Sequence, residues 1–319
     1  MLAIFAAPLL LSLQLPACSL SKTGTRAIES WSRARGLTEH RAVFGSRVVR
    51  YWRGGEGPPL LLIHGFGGDG LLTWQRNLGP LMRQHTVIVP DLLWFGDSHV
   101  LGPVAPSLSV QAATMLDLLE WEGLERVDVM GISYGGFVTL MLARLAPERV
   151  RSVVIVDSPG PVFDADDRAA MLERLGVEDP ADMFVPQDAD DVRALLALVR
   201  PGGPPIPRFL LEDIRRHQFV RDPDAHRALL ADLVGLEGVF TPDSWRGPDR
   251  SLVVWGSEDP VFPLDSGRRL AEALGAELVV IEGAAHGPNF QEPRAFNRAV
   301  LDFLARVDTG DAAVDSEAP

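Results

Sequence analysis

Cysteine and lysine are all but missing from this chain of 319 residues. Cys18 is the single cysteine, which excludes an intrachain disulfide, and Lys22 is the single lysine, so arginines scattered along the chain carry the positive charge. There is no Cys/His spacing of the metal-binding kind, no G-x-G-x-x-G following a strand and no G-x-x-x-x-G-K-[ST] loop. No metal and no nucleotide cofactor is therefore expected. Basic clusters are absent as well, and a formal net charge of −13 repels polyphosphate, so nucleic acid is excluded as a partner. Any chemistry has to come from side chains. With 46% apolar and 23% charged residues the chain has the means to bury a large core, either as one domain with an insertion or as two modest domains.

Uncharged apolar runs are also short. The longest, Met1 to Ala17, falls below the roughly 20 residues of a membrane span and suits the core of a signal peptide. It ends in Leu15-Pro16-Ala17-Cys18, and the segment 1–18 resembles a bacterial lipoprotein signal with Cys18 at the acylated position. The expectation is a protein of the bacterial cell envelope, tethered to a membrane surface through Cys18, or a secreted one. One lipid chain anchors weakly and several anchor well. The plainer alternative is a frayed terminus on a cytoplasmic protein.

The most informative stretch is Gly131-Ile132-Ser133-Tyr134-Gly135, which follows the apolar run Val127 to Met130 and opens a helical pattern from Tyr134 to Leu145. A serine on a strand-to-helix turn of this kind projects its hydroxyl above the sheet, and the flanking glycines relieve the crowding. Ser133 reads as a nucleophile. Eight short apolar runs alternate with helical patterns: Ala42–Phe44, Val48–Trp52, Leu60–Ile63, Val87–Val89, Val127–Met130, Val153–Val156, Leu252–Trp255 and Leu278–Ile281. The later runs are β-branched without polar alternation, as expected of parallel strands buried on both faces. Between them lie amphipathic segments near Trp74–Arg83, Leu108–Trp121, Tyr134–Leu145, Leu264–Leu274 and Pro293–Arg306, after a helical lead around Ala27–Arg35. This predicts a doubly wound α/β sheet of eight strands, mostly parallel. From 161 to 248 the alternation stops and only helical patterns occur, which predicts a helical lid inserted after the sixth strand between two core segments, 41–160 and 249–307. The acidic stretch 308–319 reads as a disordered tail.

A serine hydroxyl needs a base, an acid to orient that base, and donors for the oxyanion. Asp259 follows the seventh run in Trp255-Gly256-Ser257-Glu258-Asp259, and His286 follows the eighth in Gly283-Ala284-Ala285-His286-Gly287. The chain order is thus Ser, Asp, His, and in a parallel sheet the strand ends can bring such residues together. With His64-Gly65-Phe66-Gly67 after the third run and Pro90-Asp91-Leu92-Leu93-Trp94-Phe95-Gly96-Asp97-Ser98 after the fourth, the chain from Val43 to Arg306 resembles the α/β-hydrolases of the capped serine esterase/lipase type. That resemblance implies Ser133 as nucleophile, His286 as base, Asp259 as the acid, and the backbone amides of Phe66 and Tyr134 as the oxyanion hole. Asp157, at the end of the sixth run, is the alternative acid, and His64 is the rival base, expected instead to order its loop. Asp97 and Ser98 are expected to tie a turn. The remaining histidines, His40, His85, His99, His217 and His226, read as surface or lid residues. Phe66, Trp94 and Phe95 are candidate contacts for an apolar acyl group, with core packing as the other reading.

Serine at this position points to acyl chemistry without a cofactor, on a small-molecule ester. Relatives that open epoxides or cleave carbon–halogen bonds carry aspartate there. Carbon–carbon bond hydrolysis, and a hydrolase-derived binding protein with little turnover, are the competing readings.

Overall fold

The computed structural model describes residues 20–237, 241, 248 and 250–317. Cys18 and the rest of the segment 1–18 lie outside them. Nine strands form one sheet: β1 (Thr38–Phe44), β2 (Arg47–Gly54), β3 (Pro59–Ile63), β4 (Thr86–Pro90), β5 (His99–Val100), β6 (Val127–Ile132), β7 (Val150–Val156), β8 (Ser251–Gly256) and β9 (Glu277–Ile281). Eight of them run in the order β1-β2-β4-β3-β6-β7-β8-β9, and β5 pairs with β2 beside that path. Pairing is antiparallel from β1 through β2 to β4 and parallel from β4 to β9. The mostly parallel eight-strand sheet is as expected; the ninth strand is two residues long, too short to leave a periodic trace.

The sheet is apolar on both faces because its central strands alternate two separate cores. Leu61, Ile63, Val129, Val153, Ile155 and Val253 point to one side. Leu60, Leu62, Met130, Val154, Leu252 and Val254 point to the other. Helices Leu108–Trp121, Tyr134–Leu145 and Leu264–Leu274 cover the first face, and Gly70–Trp74, Leu78–Leu81 and the helix from Pro293 cover the second. Burying both faces in this way requires the continuous aliphatic runs seen in the sequence.

Among the described residues five α-helices lie between β7 and β8, Ala165–Leu175, Pro180–Phe184, Ala189–Val199, Arg208–Gln218 and Pro223–Gly235. Three of them begin with an aspartate whose side chain accepts from the first-turn amides in a capping box, at Asp164, Asp179 and Asp188; these caps satisfy donors that a short helix cannot satisfy itself. The insertion is fastened to the core by polar contacts. Asp232 accepts from the Leu108 amide at 2.7 Å, and Arg174 donates to the carbonyls of Pro260 and Val261.

Two ends of the chain differ from expectation. The first helix spans Leu20–Ala34 rather than starting near Ala27. The last runs from Pro293 to Glu317, through the stretch 308–317 that reads as a disordered tail. Its continuation has local causes: Asp308 pairs with Arg151 at 2.8 Å, and the Thr309 hydroxyl donates to the carbonyls of Ala305 and Arg306.

Candidate active site

The carboxyl ends of the strands hold every backbone strain point of the described residues outside glycine. Trp94, Ser133 and Asp157 have φ of 67°, 53° and 42°, and they follow β4, β6 and β7. Such conformations cost of order 1–3 kcal/mol each and concentrate where function requires them. Ser133 (ψ −121°) occupies the tight turn between β6 and the helix Tyr134–Leu145. A Cβ on Gly135 would lie 2.5 Å from the backbone oxygens of Ile63 and His64, and one on Gly131 would lie 2.1 Å from the Gly135 oxygen, so the turn closes only with glycine at both positions.

Around this turn the structure brings together residues far apart in the chain. Ser133 Oγ is 2.9 Å from His286 Nε2, and His286 Nδ1 is 2.8 Å from Asp259 Oδ2. The other oxygen of Asp259 accepts from the amides of Val261 and Phe262 at 2.7 and 3.0 Å. Three donors thus fix the carboxylate, and the ring proton of His286 faces it. Burial pulls the His286 imidazolium down, but the charge and hydrogen bond of Asp259, with Asp157 beyond, raise its pKa above 6.5 overall. The His286 amide donates to the Leu198 carbonyl at 3.2 Å, so a helix of the insertion helps to hold the loop.

Asp157 lies close behind this pair. Asp157, Asp259 and His286 each put a ligand-type atom within 4.8 Å of the other two. The grouping looks like a metal site, but Nδ1 of His286 and Oδ2 of Asp259 are occupied by each other. Asp157 Oδ1 accepts from the Gly256 amide at 2.9 Å, while its buried Oδ2 has no hydrogen-bond partner. Burial first, then the neighbouring Asp259, push its pKa well above the usual carboxylate range, against the pull of His286 and the amides of Gly256 and Gly287. His286 has Asp259 as its hydrogen-bonded partner and Asp157 as a second carboxyl nearby.

His64 does what its loop position suggests. Nδ1 is 2.7 Å from the Gly65 carbonyl and Nε2 accepts from the Leu92 amide at 2.9 Å; burial lowers its pKa, so the ring is a neutral loop tie. Asp91, from the Pro90-Asp91 turn, works alongside: its carboxylate accepts from the amides of Gly70 and Asp97, and the Ser98 hydroxyl donates to the Asp91 carbonyl at 2.7 Å. The two loops therefore brace each other around Phe66. Tyr134 is the first residue of its helix, where the amide has no intrahelical acceptor.

A cleft opens at Ser133, lined by Phe66, Tyr134 and Phe137 from the core, Met171, Phe184 and Leu230 from the insertion, and Phe163 and Phe262 beside it. Its walls are almost wholly apolar, with the Arg168–Glu237 pair (2.7 Å) as the charged exception. Of the three expected acyl contacts, Phe66 is in this wall; Trp94 and Phe95 are not among its lining residues and belong to the core. Trp94 turns away at positive φ with its carbonyl 2.9 Å from His226 Nε2, and Phe95 stacks on the His226 ring at 4.5 Å. His226 and His85 are buried at 1% exposure each, so His85 is not the surface residue that its lack of a motif suggests. The cleft aromatics Phe163, Phe184 and Phe262 were not legible as a group, since they sit in no motif and only the insertion's docking gathers them.

Comparison with known proteins places this geometry among relatives. The family model described as alpha/beta hydrolase fold matches residues 58–293. A 2-hydroxy-6-oxo-2,4-heptadienoate hydrolase of Pseudomonas putida is 30% identical over 269 residues, covering 80% of this chain and 91% of its own. A putative carbamate hydrolase of Pseudomonas savastanoi is 29% identical, covering 78% of this chain and 94% of its own. Among solved structures, a membrane phospholipase A described as a bacterial virulence factor is 27% identical with a TM-score of 0.72 over 91% of this chain and 94% of that one. A putative lipase of Acinetobacter baumannii has a TM-score of 0.76 at 24% identity, over 90% and 97% of the two chains, a likeness of fold.

Proposed function

The chain belongs to the alpha/beta-hydrolase family and is a hydrolase, and from that premise we propose that it cleaves carboxylic esters through an acyl-enzyme, with Ser133, His286 and Asp259 as its catalytic groups. The observation that carries this reading is the 2.9 Å contact between Ser133 Oγ and His286 Nε2 with Asp259 at 2.8 Å behind the ring. Ser133 Oγ attacks the carbonyl carbon while Nε2 takes its proton, and Asp259 holds the tautomer that leaves Nε2 free and steadies the imidazolium. The negative charge on the former carbonyl oxygen is received by the amides of Phe66 and Tyr134, donors of the kind whose loss costs about 3 kcal/mol. His286 returns the proton to the departing alcohol, then activates a water that releases the acid. No cofactor takes part in these steps. The apolar cleft supports an apolar acyl group.

With a short-chain nitrophenyl ester, Ser133→Ala is expected to lower kcat by about 10⁵ to 10⁶, and a fluorophosphonate should label wild type alone. Full turnover by Ser133→Ala would remove Ser133 from the mechanism. A second reading has support in the curated relatives named as 2-hydroxy-6-oxo dienoate hydrolases: the same nucleophile acting on a carbon–carbon bond. It predicts kcat/KM on a ring-fission diketo acid above that on any simple ester.

The relative named a membrane phospholipase supports attachment to a membrane surface through the segment 1–18 as part of this proposal. Among the described residues no helix is long and apolar enough to cross a membrane. Mass spectrometry of the purified amino terminus tests the tether: a chain beginning at acylated Cys18 is expected, and an intact Met1 in the soluble fraction would end it.

A further inference from the structure

Two buried carboxyl groups meet one imidazole behind Ser133, and only one of the two is fully provided for. Asp259 accepts from three donors, the amides of Val261 and Phe262 and the ring of His286. Asp157 accepts from the Gly256 amide through Oδ1, while Oδ2 is buried without a partner. Asparagine would make the same bond to Gly256 and accepts the left-handed backbone found at this position (φ 42°). A purely structural role therefore leaves the second oxygen unexplained.

We propose that Asp157 is a positioning residue of this site: it carries the proton that two adjacent carboxyls cannot both lose beside one imidazole, and it stands as the reserve partner of His286 when Asp259 is lost. The argument is one of charge and solvation. The Gly287 amide, which faces Asp157, donates to the Ala285 carbonyl at 2.7 Å and leaves Oδ2 without a hydrogen bond; an anionic oxygen so placed is the costliest way to bury a carboxyl, and a second anion within 4.8 Å of Asp259 adds repulsion. The negative charge settles on the better-solvated group, Asp259, and Asp157 stays neutral. The groups facing Asp157 that carry or change charge are Asp259, from the loop after β8, and His286, from the loop after β9. Removing the charge of Asp259 takes away the repulsion and leaves the His286 imidazolium as the attraction, so Asp157 ionises and takes over the electrostatic role. This rests on the reading of Ser133, His286 and Asp259 as catalytic groups.

Two measurements test it. The infrared difference between wild type and Asp157→Asn at neutral pH should show the carbonyl stretch of a protonated carboxylic acid, and the same difference taken in the Asp259→Asn background should lack it. Absence of the band in the first spectrum, or its survival in the second, overturns the proposal. The second measurement is kcat/KM on a nitrophenyl ester across the double-mutant cycle: the loss caused by Asp259→Asn should be at least about tenfold greater in the Asp157→Asn background than in wild type, approaching about 10⁴ in all. The acid limb of the pH profile should stay near its wild-type position in Asp259→Asn and move to lower pH in the double variant. Equal losses in the two backgrounds overturn the reserve role. Hydrolysis that survives Ser133→Ala overturns the catalytic reading and the reserve role with it, whereas the infrared band, which needs no turnover, judges the proton on Asp157 alone.

Discussion

Strands β6 and β7 run between two clusters of one histidine and two aspartates, buried except for the half-exposed Asp308, and the clusters are built to opposite ends. At the carboxyl edge stand His286, Asp259 and Asp157; at the amino edge stand His85, Asp128 and Asp308. By residue type alone they are the same. At the amino edge Arg151 binds Asp128 through two nitrogens and reaches Asp308 at 2.8 Å, and the Ser152 hydroxyl donates to Asp128 at 2.6 Å. A permanent guanidinium therefore neutralises the carboxylates there. His85, 3.7 Å from Asp308, keeps both ring nitrogens without a hydrogen bond, and burial lowers its pKa. At the carboxyl edge the imidazole itself faces the carboxylate, its pKa is raised, and a serine on strained backbone faces it from an open cleft. A buried histidine beside aspartates is thus no mark of catalysis. What separates the clusters is the fixed cation at one end and the accessible serine hydroxyl at the other.

The sharpest way to break this contrast is to remove the fixed cation. Arg151→Ala leaves Asp128 buried without its charge partner and is expected to cost about 3–5 kcal/mol of unfolding free energy, read by urea titration. The kcat of the folded fraction should stay at the wild-type value, since the two edges lie at opposite ends of the strands; a parallel loss of kcat would show that the edges are coupled. A smaller effect is expected at the carboxyl edge from Gly67→Ala. Gly67 has φ +77°, and a Cβ there would stand 2.8 Å from the Phe219 ring, so the loop carrying the Phe66 amide must shift. A tenfold to hundredfold fall in kcat, about 1.4–2.7 kcal/mol, is expected, together with a loss of about 1–3 kcal/mol of unfolding free energy from the strained backbone.

The same contrast explains what could be read from the chain beforehand. Ser133, Asp259 and His286 were legible because each sits in a local pattern at a strand end, and the core strands because burial on both faces demands unbroken aliphatic runs. The partners of His85 come from β6, β7 and the last helix, so no spacing along the chain announces them. Trp94 and Phe95 illustrate the same limit: an aromatic beside a site has one appearance whether it lines the cleft or packs beneath it, and only the backbone turn at Trp94 and the docked ring of His226 decide. The helix through Asp308 escaped notice because acidic composition speaks of solvation, whereas the ion pair with Arg151 is tertiary.

The smallest effects lie in pH dependence, and they should carry opposite signs at the two edges. His286 has a folded pKa above 6.5, so on the proposed mechanism, in which Nε2 must be free to take the serine proton, the acid limb of kcat/KM should fall above pH 6.5. For stability the same shift means that the folded state holds its proton longer than the unfolded chain. The contribution of His286 is therefore complete below pH 6.5 and is lost as pH rises through the folded pKa. His85 is shifted down, so the unfolded chain takes up the proton first and stability falls as pH drops below 6.5, with a slope of at most about 1.4 kcal/mol per pH unit. Urea titrations of wild type, His85→Gln and His286→Gln across this range should separate the two. Relative to wild type, His85→Gln should flatten the loss on the acid side and His286→Gln the loss on the alkaline side. If both variants flattened the same side, the imidazoles would share one electrostatic environment, and the division drawn between the two edges would fail.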